Sequence, residues 1–201
     1  LVAVTGCLAD GALRGARGNS GVILSQILRG LADVTAERQL ADVGPAEFAA
    51  ALRCAEALVV ASMGEAVPGT IVSVLGAAAD TAERCAADPA DIATVVAAAA
   101  TAAVTALERT TGQLDVLAEA GVVDAGGRGL LVLLDALTAT LVGTAPRRHA
   151  YEPAAGTVES ALGSAAPPQF EVMYLLDGCR PEAVEGLRAA LAALGDSVAI
   201  T

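Results

Sequence analysis

Gly15-Ala16-Arg17-Gly18-Asn19-Ser20-Gly21 runs straight into the apolar stretch Val22-Ile23-Leu24-Ser25-Gln26-Ile27-Leu28, and the same grammar recurs twice downstream. Gly64-Glu65-Ala66-Val67-Pro68-Gly69-Thr70 leads into Ile71-Val72-Ser73-Val74-Leu75, and Gly121-Val122-Val123-Asp124-Ala125-Gly126-Gly127-Arg128-Gly129 leads into Leu130 to Leu134. Glycines let the backbone turn tightly and approach a ligand closely. An Asn, Ser, Thr or Asp beside them is suited to cap the helix that follows. The free N–H groups and dipole of such a helix start can seat a phosphate. Taken singly, each loop is an ordinary capping turn. Taken together, they are better explained by one shared site, and they converge only if their helices line up at one end of a bundle.

The stretches between these loops carry helical periodicity. Residues 1–13 read as the tail of a helix, and 20–37 as a full one with Ile23, Leu24, Ile27, Leu28, Leu31 and Val34 on one face. Gly44-Pro45 opens a helix to about Met63, with proline tolerated in its first turn. Further helices are expected over 70–87, from Asp88-Pro89 to about Arg109, over 114–120 with Gly121 as the left-handed end, and over 127–142. Composition agrees. The chain is 55% hydrophobic yet only 2% aromatic and has no Trp, so its core must be built from Ala, Leu and Val. Alanine has the best helix propensity, which favours an all-helical body over a β-sandwich.

Residues 144–168 are rich in Ala, Gly, Pro and Ser and read as a linker, with a helical turn expected over 157–162. Beyond it, Phe170 to Leu176 reads as a strand, Pro181 to Leu194 as an amphipathic helix ended by Gly195, and Ser197 to Ile200 as a second strand. This is the start of an α+β domain that is too short to bury a sheet by itself.

The net charge of −11 excludes the basic footprint of a nucleic-acid surface. Cys7, Cys54, Cys85 and Cys179 are far apart and form no metal-binding pair, so reduced thiols in helix cores are expected. His149 beside Arg147 and Arg148 reads as solvent-exposed. No membrane span is expected: 130–142 is short and interrupted by Asp135, and the helix around Val95 is rich in alanine.

Gly15 to Gln26, Val67-Pro68-Gly69-Thr70-Ile71 and Ala120 to Leu131 resemble the three signature blocks of the DhaL-type (DAK2) nucleotide-binding domain, in the family's order and over roughly residues 1–143. The first and third blocks most resemble the ATP-binding subunit of bacterial fatty acid kinase. The ATP-dependent subunit of dihydroxyacetone kinase is a cousin. The resemblance implies a mainly α fold, an antiparallel helical bundle or barrel over 1–143, then the 144–168 linker and the incomplete α+β domain over 169–201. It implies ATP or ADP bound by Asn19, Ser20 and Gly21 of the first block. Gly64, Thr70 and Ile71 would serve from the second, and Asp124, Ala125 and Gly126 from the third. Arg17 is open to two readings, a charge stabiliser or a tie between loop and neighbouring helix. No nucleophile is identified.

The family also holds Mg²⁺ on an Asp-x-Asp-x-Gly-x-Asn loop ahead of the first block. Nothing before Gly15 fits, since Asp10 is the one acidic residue there. Asp124 reads as a cap or loop-orienting group more than as a lone metal ligand. The chain lacks an initiating Met and stops in an expected strand, so we read the missing loop as truncation, with divergence as the other reading. This piece is then expected to bind nucleotide weakly and to be inactive alone.

The implied function is the ATP-binding half of a cytoplasmic two-component kinase whose acceptor, a fatty acid, is held by a fatty-acid-binding partner subunit; a homodimer is left open. The alternatives are a dihydroxyacetone kinase-type subunit, disfavoured by the segment after residue 168, and a non-catalytic nucleotide-binding or scaffold module.

Overall fold

A computed structural model describes residues 1–149, 151, 170, 172–174, 176, 178–195 and 198–201. Its first 143 residues hold seven helices: α1 (Val2–Gly15), α2 (Gly18–Glu37), α3 (Pro45–Met63), α4 (Ile71–Ala86), α5 (Ile92–Thr110), α6 (Asp115–Ala120) and α7 (Ala125–Val142). A 3₁₀ turn over Pro181–Ala183 and helix α8 (Val184–Ala192) follow. The protein is mainly helical, with no strand among the described residues.

Pairings between neighbouring helices fix their directions. The Thr5 and Thr35 hydroxyls share a buried hydrogen bond of 2.7 Å, and Arg29 pairs with Asp10, so α1 and α2 run antiparallel. Arg38 at the end of α2 reaches Glu47 at the start of α3. Midway, Gly30 lies so close to α3 that a Cβ there would stand 2.5 Å from the Ala55 nitrogen. Arg53 on α3 pairs with Glu56 on its own helix and with Asp80 and Glu83 on α4, and Gly76 lies against Glu56. Alternating directions therefore bring residues 15–21, 63–70 and 110–127 to one end of the bundle.

The core is the alanine-rich packing that the composition implies. Val59, Val74, Leu75, Ala78, Ala79, Val95, Val96, Ala99, Ala103 and Leu107 are fully buried between α3, α4 and α5. Small side chains let these helices approach closely. Each fully buried Leu or Val supplies about 1.5–3 kcal/mol of hydrophobic stabilisation.

Several expectations are corrected. Helix α5 begins at Ile92, because the Asp91 carboxylate accepts the Thr94 N–H at 2.7 Å and so places the cap three residues beyond Asp88. The same hydrogen bonding holds the Asp91 carboxyl below the usual carboxylate range. On α2 the buried positions are Ile23, Ser25, Gln26, Gly30, Ala32, Val34 and Thr35, while Leu24 is exposed. Gly30 meets α3 at Ala51 and Ala55, while Thr35 meets Thr5 of α1. Helix α7 starts earlier than expected and is long and apolar enough to span a membrane, as is α5. Helix α5 buries its apolar residues in the core, whereas α7 leaves Val132, Leu133, Leu137, Leu141 and Val142 exposed. Cys7 and Cys179 are exposed, and only Cys54 and Cys85 are half-buried. Burial raises the Cys54 thiol, with help from Asp33 and Glu37.

Beyond α7, the expected linker and its turn over 157–162 lie largely outside the described residues. Of the expected strands, residues 170, 172–174, 176 and 198–200 have no regular structure, and 171, 175 and 197 lie outside the described residues. Helix α8 ends at Ala192, three residues before Gly195.

Candidate functional site

The second and third loops are built against each other. Helix α3 ends at Gly64, which takes the left-handed conformation at φ +84° and donates its N–H to the Val60 carbonyl. The exposed residues 65–68 then lead to Gly69, at φ +81°, where a Cβ would stand 2.8 Å from the Gln113 Cβ. Only glycine meets both conditions. The Gly69 N–H donates to the Ser73 Oγ, and the Thr70 Oγ1 donates to the Val67 carbonyl at 2.7 Å while accepting the Val72 N–H at 3.3 Å. Thr70 thus caps α4 and fastens its own loop.

The third loop follows the short α6, closed by Gly121 at φ +63°. Thr111 donates its hydroxyl to the Val122 carbonyl, and the Asp124 N–H donates to the Thr110 Oγ1. The Asp124 carboxylate accepts the Gly127 N–H at 2.6 Å, capping α7. Gly126 faces Ile71 closely enough that a Cβ there would stand 3.3 Å from the Ile71 Cβ. Gly127 lies against Val74 and Leu107. The starts of α4 and α7 therefore meet side by side, with Thr70, Ile71, Asp124, Ala125 and Gly126 at the junction.

This junction has the means to hold an anion. The first N–H groups of a helix have no acceptor within it. Thr70 satisfies Val72 and Asp124 satisfies Gly127, whereas the N–H groups of Ile71, Ala125 and Gly126 have no acceptor among the described residues. The two starts differ in charge. Asp124 places its own carboxylate at α7 and takes up part of the positive end of that dipole, whereas Thr70 leaves α4 neutral. The α4 start is the better seat for phosphate.

The first loop lies at the same end of the bundle but is built differently. Arg17 is the residue before α2 and provides no side-chain cap, so Asn19 and Ser20 fall inside the first turn and not at the expected cap position. Gly18 stands at φ +61° and donates its N–H to the Met173 Sδ at 3.0 Å. Gly21 lies against Ala16, and Ser20 is exposed. The Arg17 guanidinium turns back onto the Ala16 and Gly15 carbonyls, at 2.7 and 3.3 Å, and ties the loop to the end of α1.

The expected site residues gave no hint of Thr110, Ser73, Gln113 or Arg188. Arg188 of α8 reaches the Ala61 and Ser62 carbonyls beside Gly64. Thr110, Gln113 and Arg188 are revealed only by contact between distant segments, whereas Ser73 lies four residues from Gly69 in the run that follows the loop. His149 is exposed and stacks edge-on with Tyr151 at 6.4 Å. Burial raises the Tyr151 phenol, and the carboxylate of Glu108 adds to the rise.

The described residues do not fit a Mg²⁺ site. They contain no group of three His, Cys, Asp or Glu side chains placed to hold a metal, and the Asp124 carboxylate is already engaged by Gly127.

The chain matches the family model described as the DAK2 domain over residues 1–139. It is 35% identical to Protein YloV of Bacillus subtilis (strain 168) over 98% of its own length and 38% of that protein's. It is 37% identical to Uncharacterized protein SSP1546 of Staphylococcus saprophyticus, over 62% of this chain and 22% of that one. With Uncharacterized protein SAUSA300_1119 of Staphylococcus aureus (strain USA300) the identity is 38%, over 67% of this chain and 24% of the relative. The chain thus spans well under half the length of each of these relatives.

Proposed function

The chain belongs to the DAK2-domain family, a kinase-related family of nucleotide-binding domains, and from that premise we propose that it is part of the ATP-binding subunit of a two-component kinase. The acceptor in this reading is a fatty acid carried by a separate fatty-acid-binding subunit, and the setting is the cytoplasm. The observation that carries it is the paired start of α4 and α7, where Gly126 packs on Ile71 and three backbone N–H groups have no acceptor among the described residues. ATP or ADP would place its phosphates at the neutral α4 start, with Gly64 and Gly69 letting the backbone come close. Asp124, Ala125 and Gly126 would form the rim. Asn19, Ser20 and Gly21 would approach from the first loop. These residues bind and orient a nucleotide; none is placed to act as a nucleophile, which accords with an acceptor held elsewhere.

A second reading, a nucleotide-binding module without catalysis, is favoured by the lack of a metal-holding group of side chains among the described residues. Calorimetry of residues 1–201 with ATP and adenosine, each with and without magnesium, tests the proposal. The expected result is weak ATP binding that exceeds adenosine binding and changes little with magnesium. Thr70→Val, which releases the loop from the Val67 carbonyl and uncaps α4, should lower ATP affinity about fivefold, the scale of a lost cap, and adenosine affinity much less. Equal loss for both ligands would remove the phosphate role. Fatty acid phosphorylation by the longer natural protein with its partner then separates the kinase from the inert module.

A further inference from the structure

We propose that Arg188 is a positioning residue for the second nucleotide loop, an inference that rests on the nucleotide reading of residues 64–70. Helix α3 stops at Met63, and the left-handed turn at Gly64 satisfies the Val60 carbonyl but leaves those of Ala61 and Ser62 pointing out of the helix end. Such end carbonyls need partners from elsewhere. Arg188 of α8 supplies them across more than a hundred residues of chain: Nη2 donates to the Ala61 carbonyl at 3.1 Å and Nη1 to the Ser62 carbonyl at 3.0 Å. Nη1 also reaches the Val198 carbonyl at 3.4 Å, and the Ile200 N–H donates to the Ser62 carbonyl at 3.0 Å.

A planar guanidinium suits this task, because its fork spans two successive carbonyls and its charge complements the negative end of the helix dipole. The side chain also lies across the open face of Gly64, where a Cβ would stand 3.2 Å from Nη1. The loop is therefore held at both ends. Thr70 and Ser73 fix it where α4 begins, and Arg188 fixes it where α3 stops. The segment after residue 180 thereby sets the direction in which the loop leaves α3, and with it the approach of Gly64 to a bound phosphate.

Hydrogen exchange of the hydrogen-bonded amides of Gly64 and Gly69 in the ligand-free chain, with ATP and adenosine affinities on the same samples, tests this in wild type, Arg188→Ala and Arg188→Lys. Arg188→Ala should speed exchange at these two amides about tenfold, while the bonded amides of Val122, Asp124 and Gly127 keep their wild-type rates and so report that the bundle stays folded. ATP affinity should fall about tenfold and adenosine affinity by less, and Arg188→Lys, which keeps the charge but loses the fork, should fall between. Wild-type exchange at Gly64 and Gly69 of Arg188→Ala overturns the proposal. So does unchanged ATP affinity in a protein whose wild type binds ATP, and that outcome leaves the nucleotide reading standing. A wild type that discriminates ATP from adenosine not at all removes both.

Discussion

The first loop and the second share a vocabulary of glycine, a small polar residue and an apolar run, but fold to different ends. At Thr70 the polar side chain caps α4, the preceding Gly69 is buried on Gln113 and Leu114, and the neighbouring α7 start closes over Ile71. At Ser20 the polar side chain is exposed inside the first turn of α2, and the loop is tied back to α1 by Arg17. The difference lies in the neighbours. In the second loop, packing on Gln113 and Leu114 fixes Gly69, and Gly126 lies against Ile71. The first joins α1 to α2, where the Gly15 and Ala16 carbonyls hold Arg17. A cap signal in a sequence is thus a preference that packing either enforces or ignores.

The sharpest way to break this comparison is to put a methyl group at Gly69 of the second loop and at Gly15, where α1 ends before the first. Gly69→Ala meets both a positive φ and the Gln113 Cβ at 2.8 Å, so it should destabilise by about 2–4 kcal/mol. Gly15→Ala adds a methyl group with nothing within 4 Å and without a positive φ, and should change stability by about 0.5 kcal/mol or less, with the sign favouring the folded state. Urea unfolding of both variants measures the contrast. Similar midpoints would mean that the two loops are equally loose.

A smaller effect is expected from the caps. Asp124→Ala should cost about 1–2 kcal/mol and Thr70→Val about 1 kcal/mol, since each removes an acceptor at a helix start. Ser20→Ala should stay within about 0.5 kcal/mol, as expected for an exposed position away from a cap. A thermal melt in which Ser20→Ala falls as far as Asp124→Ala would show that the first loop is capped after all.

Much of this fold was legible because helix periodicity and glycine stops are local signals. The ends of α3 at Met63 and α7 at Val142, with Gly64 and Gly143 in left-handed turns, needed only the chain itself. The buried face of α2 was legible in part: Ile23 and Val34 are buried and Ile27 packs on the core, whereas Leu24 is exposed and the close approach of Gly30 to Ala55 left no apolar mark. The start of α5 was hidden by two acidic candidates three residues apart, of which only Asp91 reaches a backbone N–H. At the candidate site, Thr70 and Asp124 could be anticipated as caps. The support of Asp124 by Thr110, and the reach of Arg188 to α3, depend on which segments meet and leave no mark in the local pattern.

The smallest effect is expected far from all three loops and serves as a reference for them. Arg53 joins Glu56, Asp80 and Glu83 on the outer surface of α3 and α4, and its hydrogen bonds hold the Glu83 carboxyl below the usual glutamate range. A carboxyl lowered in the folded state contributes stability above its unfolded range and loses it as pH falls through the folded one. The cluster is open to solvent, so the contribution is about 1 kcal/mol or less at neutral pH. Arg53→Met should therefore lower the melting temperature slightly at pH 7, and the gap from wild type should close in acid, below the ordinary glutamate range. ATP affinity should be unchanged, because the cluster lies away from the end of α3 and the start of α4 that border the site. A gap that persists in acid would assign the loss to packing of the arginine stem. A loss of ATP affinity equal to that of Thr70→Val would mean that the loop variants report general loosening of the α3–α4 pair, and the contrast between the loops would lose its functional meaning.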